Sequence, residues 1–186
     1  MKKMNHLGLL VMVGILLSGC SELLFWKKEP ISVYQSIRIE SENSIAECNI
    51  TDLQVPNPES GLTYYWLKNR KINYSQGAYA GHLLHGKYQS FFPEGDLMES
   101  GQFKKGLKEG VWRNWGRNNQ IQAEYTFSRG GKDGPFKEYV AGQLLRSGDY
   151  KDGVYNGKIV LHQNTGIEAL VYEDGIVADT VFTKTP

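Results

Sequence analysis

An all-β fold, a series of antiparallel hairpins, is what the sequence predicts, and three observations predict it. Gly86, Gly110, Gly134 and Gly157 recur at intervals of 24, 24 and 23 residues. Two positions after each stands a large apolar side chain, Tyr88, Trp112, Phe136 and Ile159, and five positions after stand Phe91, Trp115, Tyr139 and His162. Further along come residues that tolerate positive φ, Gly95, Asn119, Gly142 and Gly166, each followed closely by an aliphatic residue: Leu97, Ile121, Leu144 and Ile167. Self-similarity at such a period is the signature of a repeat architecture.

Each unit closes with an aromatic three residues before a glycine: Phe103 with Gly106, Phe127 with Gly130, Tyr150 with Gly153, and Tyr172 with Gly175. A unit therefore reads as strand, turn, strand, turn. One hairpin offers a few large apolar side chains at about 1.5 to 3 kcal/mol each, while ordering its backbone costs about 1 to 2 kcal/mol per residue. Alone it is unstable. In series, each unit covers its neighbour's aromatics and the array holds, with little or no helix.

Tyr79 precedes Gly86 by the same seven residues that part Phe103 from Gly110, so the register predicts a degenerate earlier unit from Tyr64-Tyr65-Trp66 to Gly77-Ala78-Tyr79. Ile176 to Phe182 supplies a last apolar stretch that caps the series. The repeats are expected over residues 61–182, about four to five units, with 183–186 as a tail. Residues 31–60 carry fragments of alternation, Ile31 with Val33 and Ile37 with Ile39, and then the loop signal Pro56-Asn57-Pro58-Glu59-Ser60-Gly61. They are expected to form one or two capping strands and a boundary loop.

Side chains two and five positions after the leading glycine lie three apart, so in a regular strand they face opposite sides of the sheet unless a bulge intervenes. Two readings stand. Both sets are core, or Phe91, Trp115 and Tyr139 form an exposed aromatic ladder offered to a ligand.

The N-terminus follows a separate logic. Lys2 and Lys3 precede an eleven-residue apolar run, Leu7 to Leu17, and then Ser18-Gly19-Cys20, the layout of a secretory signal. The run is too short to span a bilayer, which needs about 20 helical residues. Leu17-Ser18-Gly19-Cys20 resembles the lipobox of bacterial lipoproteins. That resemblance implies removal of residues 1–19, a diacylglyceryl group on the Cys20 sulfur, a tether over 20–30, and a lipid-anchored place in the cell envelope. Ser21 rather than Asp after the cysteine directs it to the outer membrane where the host has one. With Cys20 lipidated, Cys48 keeps the one remaining thiol and no intrachain disulfide forms; it reads as a small buried residue.

Lys and Arg number 21 and Asp and Glu 20, and removal of Lys2 and Lys3 leaves 21 − 2 = 19 against 20. Such balance excludes attraction to nucleic acid and anchoring through a polybasic patch.

The order Gly-x-aromatic-x-x-aromatic, Gly-x-Leu, aromatic-x-x-Gly-x-x-x-Gly resembles the MORN repeat, and more closely its bacterial variant. Its clearest matches are Gly86-Lys87-Tyr88, Gly95-Asp96-Leu97, Phe103-Lys104-Lys105-Gly106 and Gly110-Val111-Trp112. The resemblance covers Tyr64 to Gly175 and implies a hairpin meander that contacts proteins or lipids rather than turning over a substrate. Members of the variant are often described as antitoxin-like, which for a lipidated protein means immunity at the envelope. The sequence departs from the repeat at Asn119, at Tyr125 where Gly101 and Gly148 stand in sister units, and in the last unit.

Catalysis calls for a nucleophile with a base or for paired carboxylates in a cleft, and the sequence offers neither. Glu94, Asp96 and Glu99 gather at a hairpin turn, where acidic residues sit in water. His82 and His85 form an HxxH, but two ligands do not make a metal site. The glycines recur at hairpin positions without a following helix, so they read as turn residues rather than a phosphate cradle. No catalytic residue, metal or cofactor is expected. The expectation is a non-catalytic, membrane-anchored scaffold for another envelope protein; the alternatives are a surface for lipid headgroups or cell-wall glycan, using rings such as Trp112 or Trp115, and an envelope immunity protein.

Overall fold

The structure, a computed structural model, describes residues 34–163 and 166–183. The expected signal segment, Cys20 and the tether lie outside the described residues. The described chain forms thirteen strands: β1 (Gln35–Glu40), β2 (Ile45–Thr51), β3 (Thr63–Lys68), β4 (Lys71–Gln76), β5 (His82–Phe91), β6 (Leu97–Lys104), β7 (Leu107–Trp115), β8 (Ile121–Ser128), β9 (Gly131–Val140), β10 (Gln143–Lys151), β11 (Val154–Gln163), β12 (Gly166–Glu173) and β13 (Ile176–Thr183). The last runs one residue past the expected boundary at 182. All pairings are antiparallel, in the order β1-β2-β5-β6-β7-β8-β9-β10-β11-β12-β13, with the β3–β4 hairpin attached to β5 at the side. The protein is all-β, a hairpin meander in one open sheet.

The hairpin units are β5–β6, β7–β8, β9–β10 and β11–β12. They are joined by two-residue turns, Lys105-Gly106, Arg129-Gly130 and Asp152-Gly153, and a fourth such turn, Asp174-Gly175, leads from the last unit into β13; in all four both residues have positive φ. This is the type I′ geometry, whose twist matches that of the strands it connects. The glycine N–H of each turn reaches back to the hairpin just completed: Gly106 donates to the Leu84 carbonyl at 2.7 Å, Gly130 to Lys108 at 2.9 Å, Gly153 to Lys132 at 2.9 Å and Gly175 to Tyr155 at 3.0 Å. The turn amides are thereby satisfied, and each unit is pinned to the one before it.

The leading glycines mark bulges. Gly110 sits at φ 68, and the β6–β7 register jumps so that Gly110, Val111 and Trp112 oppose the single residue Gly101. Gly157, Lys158 and Ile159 oppose Gly148 in the same way. On its other side the glycine pairs regularly with the closing aromatic, Gly110 with Phe127 and Gly157 with Tyr172. The bulge re-aims the second side chain after the glycine, and Trp112, Phe136 and Ile159 are buried to 1%, 1% and 2% exposure.

The earlier unit expected from Tyr64 to Tyr79 does not belong to the series. β2 rather than β4 runs beside β5, from Ile45 opposite Phe91 to Thr51 opposite Leu83, while β3 meets β5 only at Trp66–Leu83 and Leu67–His82. The reason lies in side chains. Ala46, Cys48 and Ile50 alternate to give β2 a buried stripe, which a strand flanked on both sides requires, whereas β4 presents Tyr74 at 72% exposure. Tyr79, whose spacing suggested a closing aromatic, instead takes the Val55 N–H on its hydroxyl at 2.7 Å and donates to Gln54 at 3.0 Å. It secures the loop after β2.

Cys48, Ile50, Leu84, Phe103 and Trp112 form the core, with Ile37, Tyr65 and Phe127 packed against it. Most contacts are between sheet neighbours, but β3 also approaches β7, and the β3–β4 hairpin lays Tyr65, Leu67 and Ile72 against this core, with the Tyr65 ring 5.0 Å from Phe103, so it covers part of the sheet at β5 to β7.

Candidate functional site: the aromatic face

The bulges and closing residues deliver their rings to the same face. Phe103 and Trp112 meet edge to face at 4.8 Å, Tyr88 lies 5.5 Å from Trp112, and Phe127 lies 6.3 Å from it on the other side. A second group follows: Phe136 with Tyr150 at 4.8 Å, Tyr150 with Tyr155 at 4.8 Å, and Tyr155 with Tyr172 at 5.2 Å. Offset and edge-on rings at such distances attract beyond their area burial.

Two lysines, 24 residues apart, lie over these rings. Lys108 Nζ sits 3.8 Å from the Trp112 centroid and 5.4 Å from Phe127, and pairs with Glu99 at 2.9 Å. Lys132 Nζ sits 3.6 Å from Tyr125 and 4.8 Å from Tyr150. An ammonium over a ring face is held by the ring quadrupole. Burial lowers the Lys132 pKa, helped by the charges of Arg146 and Lys108, while Glu138 opposes the shift.

Tyr125 occupies the place that Gly101 and Gly148 hold in sister units and stacks on Phe136 at 6.2 Å and 14°. Its hydroxyl donates to Glu138 at 2.5 Å, and Arg146 donates to the other oxygen of Glu138 at 2.5 Å. Burial alone would raise the Glu138 pKa, but the hydrogen bonds from Arg146 and Tyr125 outweigh it and hold the carboxyl below its ordinary range. Burial and the same carboxylate push the Tyr125 phenol up. Lys132, Tyr125, Glu138 and Arg146 thus form a half-buried polar network among aromatic walls.

Phe91, Trp115 and Tyr139 are each half-buried. The register slips beside them, but the extra residues are Met98, Gln122 and Leu145 on the partner strands. Their own strands stay regular, so these rings face away from Tyr88, Trp112 and Phe136. Among the described residues no ring–ring contact joins the three. Their face carries ion pairs instead, Arg38 with Glu47 at 2.6 Å and Arg113 with Glu124 at 2.7 Å. Trp112 is 1% exposed and its indole N–H donates to the Gln102 carbonyl at 3.2 Å, so its ring offers no free face for stacking; Trp115 retains part of one.

His82 pairs with Asp52 at 2.8 Å, whereas His85 accepts the Lys105 N–H at 3.1 Å and stacks on Tyr34 at 4.7 Å, so the two imidazoles serve different partners. Among the described residues no cluster of three or more His, Cys, Asp or Glu is placed to hold a metal. Glu94 pairs with Arg117 and Glu99 with Lys108, which divides the acidic trio at the first full turn. Cys48 is buried, and burial pushes its thiol up to about 11, the opposite of what a reactive thiol requires.

Concavities outside the aromatic face include a cleft of about 410 Å³ bordered by Arg38, Glu47, Lys87 and Gln89, and one of about 290 Å³ where Val55, Glu59, Tyr64 and Arg129 meet the turn at Lys105. Compared with known proteins, the chain matches no family model and no characterised relative. The lysines of the aromatic face escape a motif search because cation–π stacking is a spatial relation, yet their shared register, 24 residues apart, is visible in the sequence.

Proposed function

We propose that this chain is a non-catalytic, lipid-anchored interaction module of the bacterial envelope, its hairpins resembling MORN repeats, which grips a partner protein through the face bearing Lys108 and Lys132. One observation carries the reading: one open sheet lines up aromatic rings and half-buried ammonium groups across successive units. Rings with an adjacent cation are the residue types that anchor protein interfaces. The lipobox-like sequence ending in Cys20 supplies the anchor, and the tether after it gives the sheet reach from the membrane surface.

The test is a pull-down from the host's envelope extract with the mature lipoprotein in detergent, beside Lys132→Met and Trp115→Ala variants shown to be folded by circular dichroism. One protein retained in near-stoichiometric amount by the wild type and lost by Lys132→Met supports the reading and its face. Loss with Trp115→Ala alone moves the interface to the opposite face. Retention of no protein removes the scaffold reading, and liposomes and cell-wall fragments become the substrates to assay.

A further inference from the structure

We infer that the aromatic face carries, at the junction of the second and third hairpin units, a receptor site for one carboxylate side chain of a partner protein, centred on Lys132. The inference rests on the interaction-module reading and names the chemistry of the partner.

The chain contains a filled copy of this site one repeat earlier. A shift of 24 residues carries Glu99 onto Ala123, Gly101 onto Tyr125, Lys108 onto Lys132 and Asn114 onto Glu138. At the first junction Lys108 lies between Trp112 and Phe127, and the Glu99 carboxylate closes over it at 2.9 Å, the two side chains being 17% and 22% exposed. At the second junction Lys132 again lies between two rings, Tyr125 and Tyr150; Tyr125, which replaces Gly101 and stacks on Phe136, the counterpart of Trp112, supplies the first of them. Ala123 stands where Glu99 stands, and among the described residues Lys132 makes no ion pair.

The charges facing Lys132 sum to a preference for one anion. Lys108, Lys132 and Arg146 are cationic and Glu99 and Glu138 anionic, 3 − 2 = +1. Glu99 is taken by Lys108, and Glu138 by Arg146 and the Tyr125 hydroxyl. Glu138 also attracts Lys132 without an ion pair joining them, and the excess positive charge falls beside Lys132. A half-buried cation between rings gains from a carboxylate that excludes the remaining water.

A protein carboxylate fits better than a phosphate. The filled copy holds the carboxylate of a Glu side chain, close enough to Tyr65 and Tyr88 for its charge to act on both phenols, and an Asp or Glu side chain of a partner presents the same group. A doubly charged phosphate would need several converging donors and would meet Glu138, which pairs directly across from Ala123, with twice the charge of a carboxylate.

The test titrates the full mature chain in detergent with hexaglutamate peptide by calorimetry, with hexaglutamine and inorganic phosphate as comparators. Two variants probe the site: Lys132→Met, and the double variant Ala123→Glu with Glu138→Asn, which copies the Glu99–Asn114 arrangement and supplies the carboxylate internally. Lys132→Arg keeps the charge and serves as the rescue. Hexaglutamate should bind the wild type and Lys132→Arg, and bind Lys132→Met and the double variant about tenfold or more weakly, a loss of about 1.4 kcal/mol, with all four folded by circular dichroism. Equal binding to wild type and double variant, or equal displacement by phosphate, overturns the inference. The double variant in the envelope pull-down separates the two readings: a partner retained equally by it and the wild type removes the site and leaves the scaffold. Hexaglutamate binding that follows the variants while no partner is retained leaves the site and removes the scaffold.

Discussion

Gly101 lies directly beneath the indole of Trp112: a methyl group on its α-carbon would come within 2.3 Å of two indole ring carbons. The bulge that buries Trp112 needs this emptiness, because three residues of β7 are gathered opposite the one glycine of β6. Gly101→Ala is therefore expected to destabilise the fold by about 1 to 3 kcal/mol through overpacking. Gly148→Ala meets the Ile159 Cδ1 at 2.4 Å, the movable end of a side chain, although the Lys158 carbonyl at 3.0 Å limits the escape. It should cost less than Gly101→Ala. Urea unfolding of the two variants checks the order.

The same relationship shows how far the sequence could be read. The spacing of Gly86, Gly110, Gly134 and Gly157 is legible because one backbone requirement, a bulge at positive φ, recurs at every unit and leaves the same residue behind each time. Tyr79 misleads because spacing records that an aromatic is present and not what its hydroxyl binds. Tyr125 was visible as a departure from glycine, but its consequence, a hydroxyl delivered to Glu138, depends on a neighbour from the next strand. Lys108 and Lys132 share a register, yet Glu99 and Ala123 make one paired and the other not; that contrast exists only once the strands are side by side.

The type I′ turns separate strain from crowding. Gly106 and Gly153 have φ of 81 and 85, so alanine is strained at both. At Gly153 nothing lies within 4 Å of an added methyl, whereas at Gly106 the Leu83 Cδ2 lies 2.7 Å away and the Tyr65 carbonyl 3.1 Å away. Gly106 also accepts the Tyr65 N–H at 2.7 Å and so holds β3 to the array. Gly153→Ala is expected to cost about 1 kcal/mol and Gly106→Ala distinctly more, with hydrogen exchange rising across β3 only in the latter.

The Tyr79 hydroxyl, which accepts from Val55 and donates to Gln54, fastens the loop after β2. Tyr79→Phe keeps the ring against Tyr64, 6.0 Å away, and removes only the bonds. Stability should fall by about 1 kcal/mol, and amide exchange at Val55 should accelerate while the exchange in β7 to β10 stays unchanged. Uniform acceleration over all strands would show that the loop is part of the global unfolding unit.

Two ion pairs test whether burial decides the worth of a charge. Glu99 and Lys108 are 22% and 17% exposed, and Glu94 and Arg117 are each 61% exposed. Glu94→Gln should change stability by less than about 0.5 kcal/mol. Glu99→Gln leaves a half-buried ammonium with rings but no counter-charge and should cost about 1 to 3 kcal/mol. Raising the salt concentration should narrow the first difference more than the second, since exposed pairs are screened more strongly.

Alkaline pH should loosen the fold from its core outward. Burial pushes the Cys48 thiol from an ordinary 9.0 up to about 11, and burial with the nearby Glu99 charge pushes the Tyr88 phenol from 10.0 up to about 12. An unfolded chain releases these protons earlier than the folded one, so across that interval the unfolded state binds fewer protons and stability falls as pH rises. The stabilisation from each group is fully present below its ordinary value and is lost as pH climbs through its folded value, a window of about pH 9 to 12. Lys132 acts in the opposite sense, because its pKa is lowered in the fold and the unfolded chain holds its proton longer. Cys48→Ala removes the earliest of the losses. Its unfolding free energy, measured by urea titration at intervals from pH 8, should fall less steeply than that of the wild type between pH 9 and 11, whatever the variant's stability at neutral pH. Equal slopes for the two proteins would show that the Cys48 thiol titrates alike in the folded and unfolded chains, and that the Cys48, Ile50 and Leu84 core admits water.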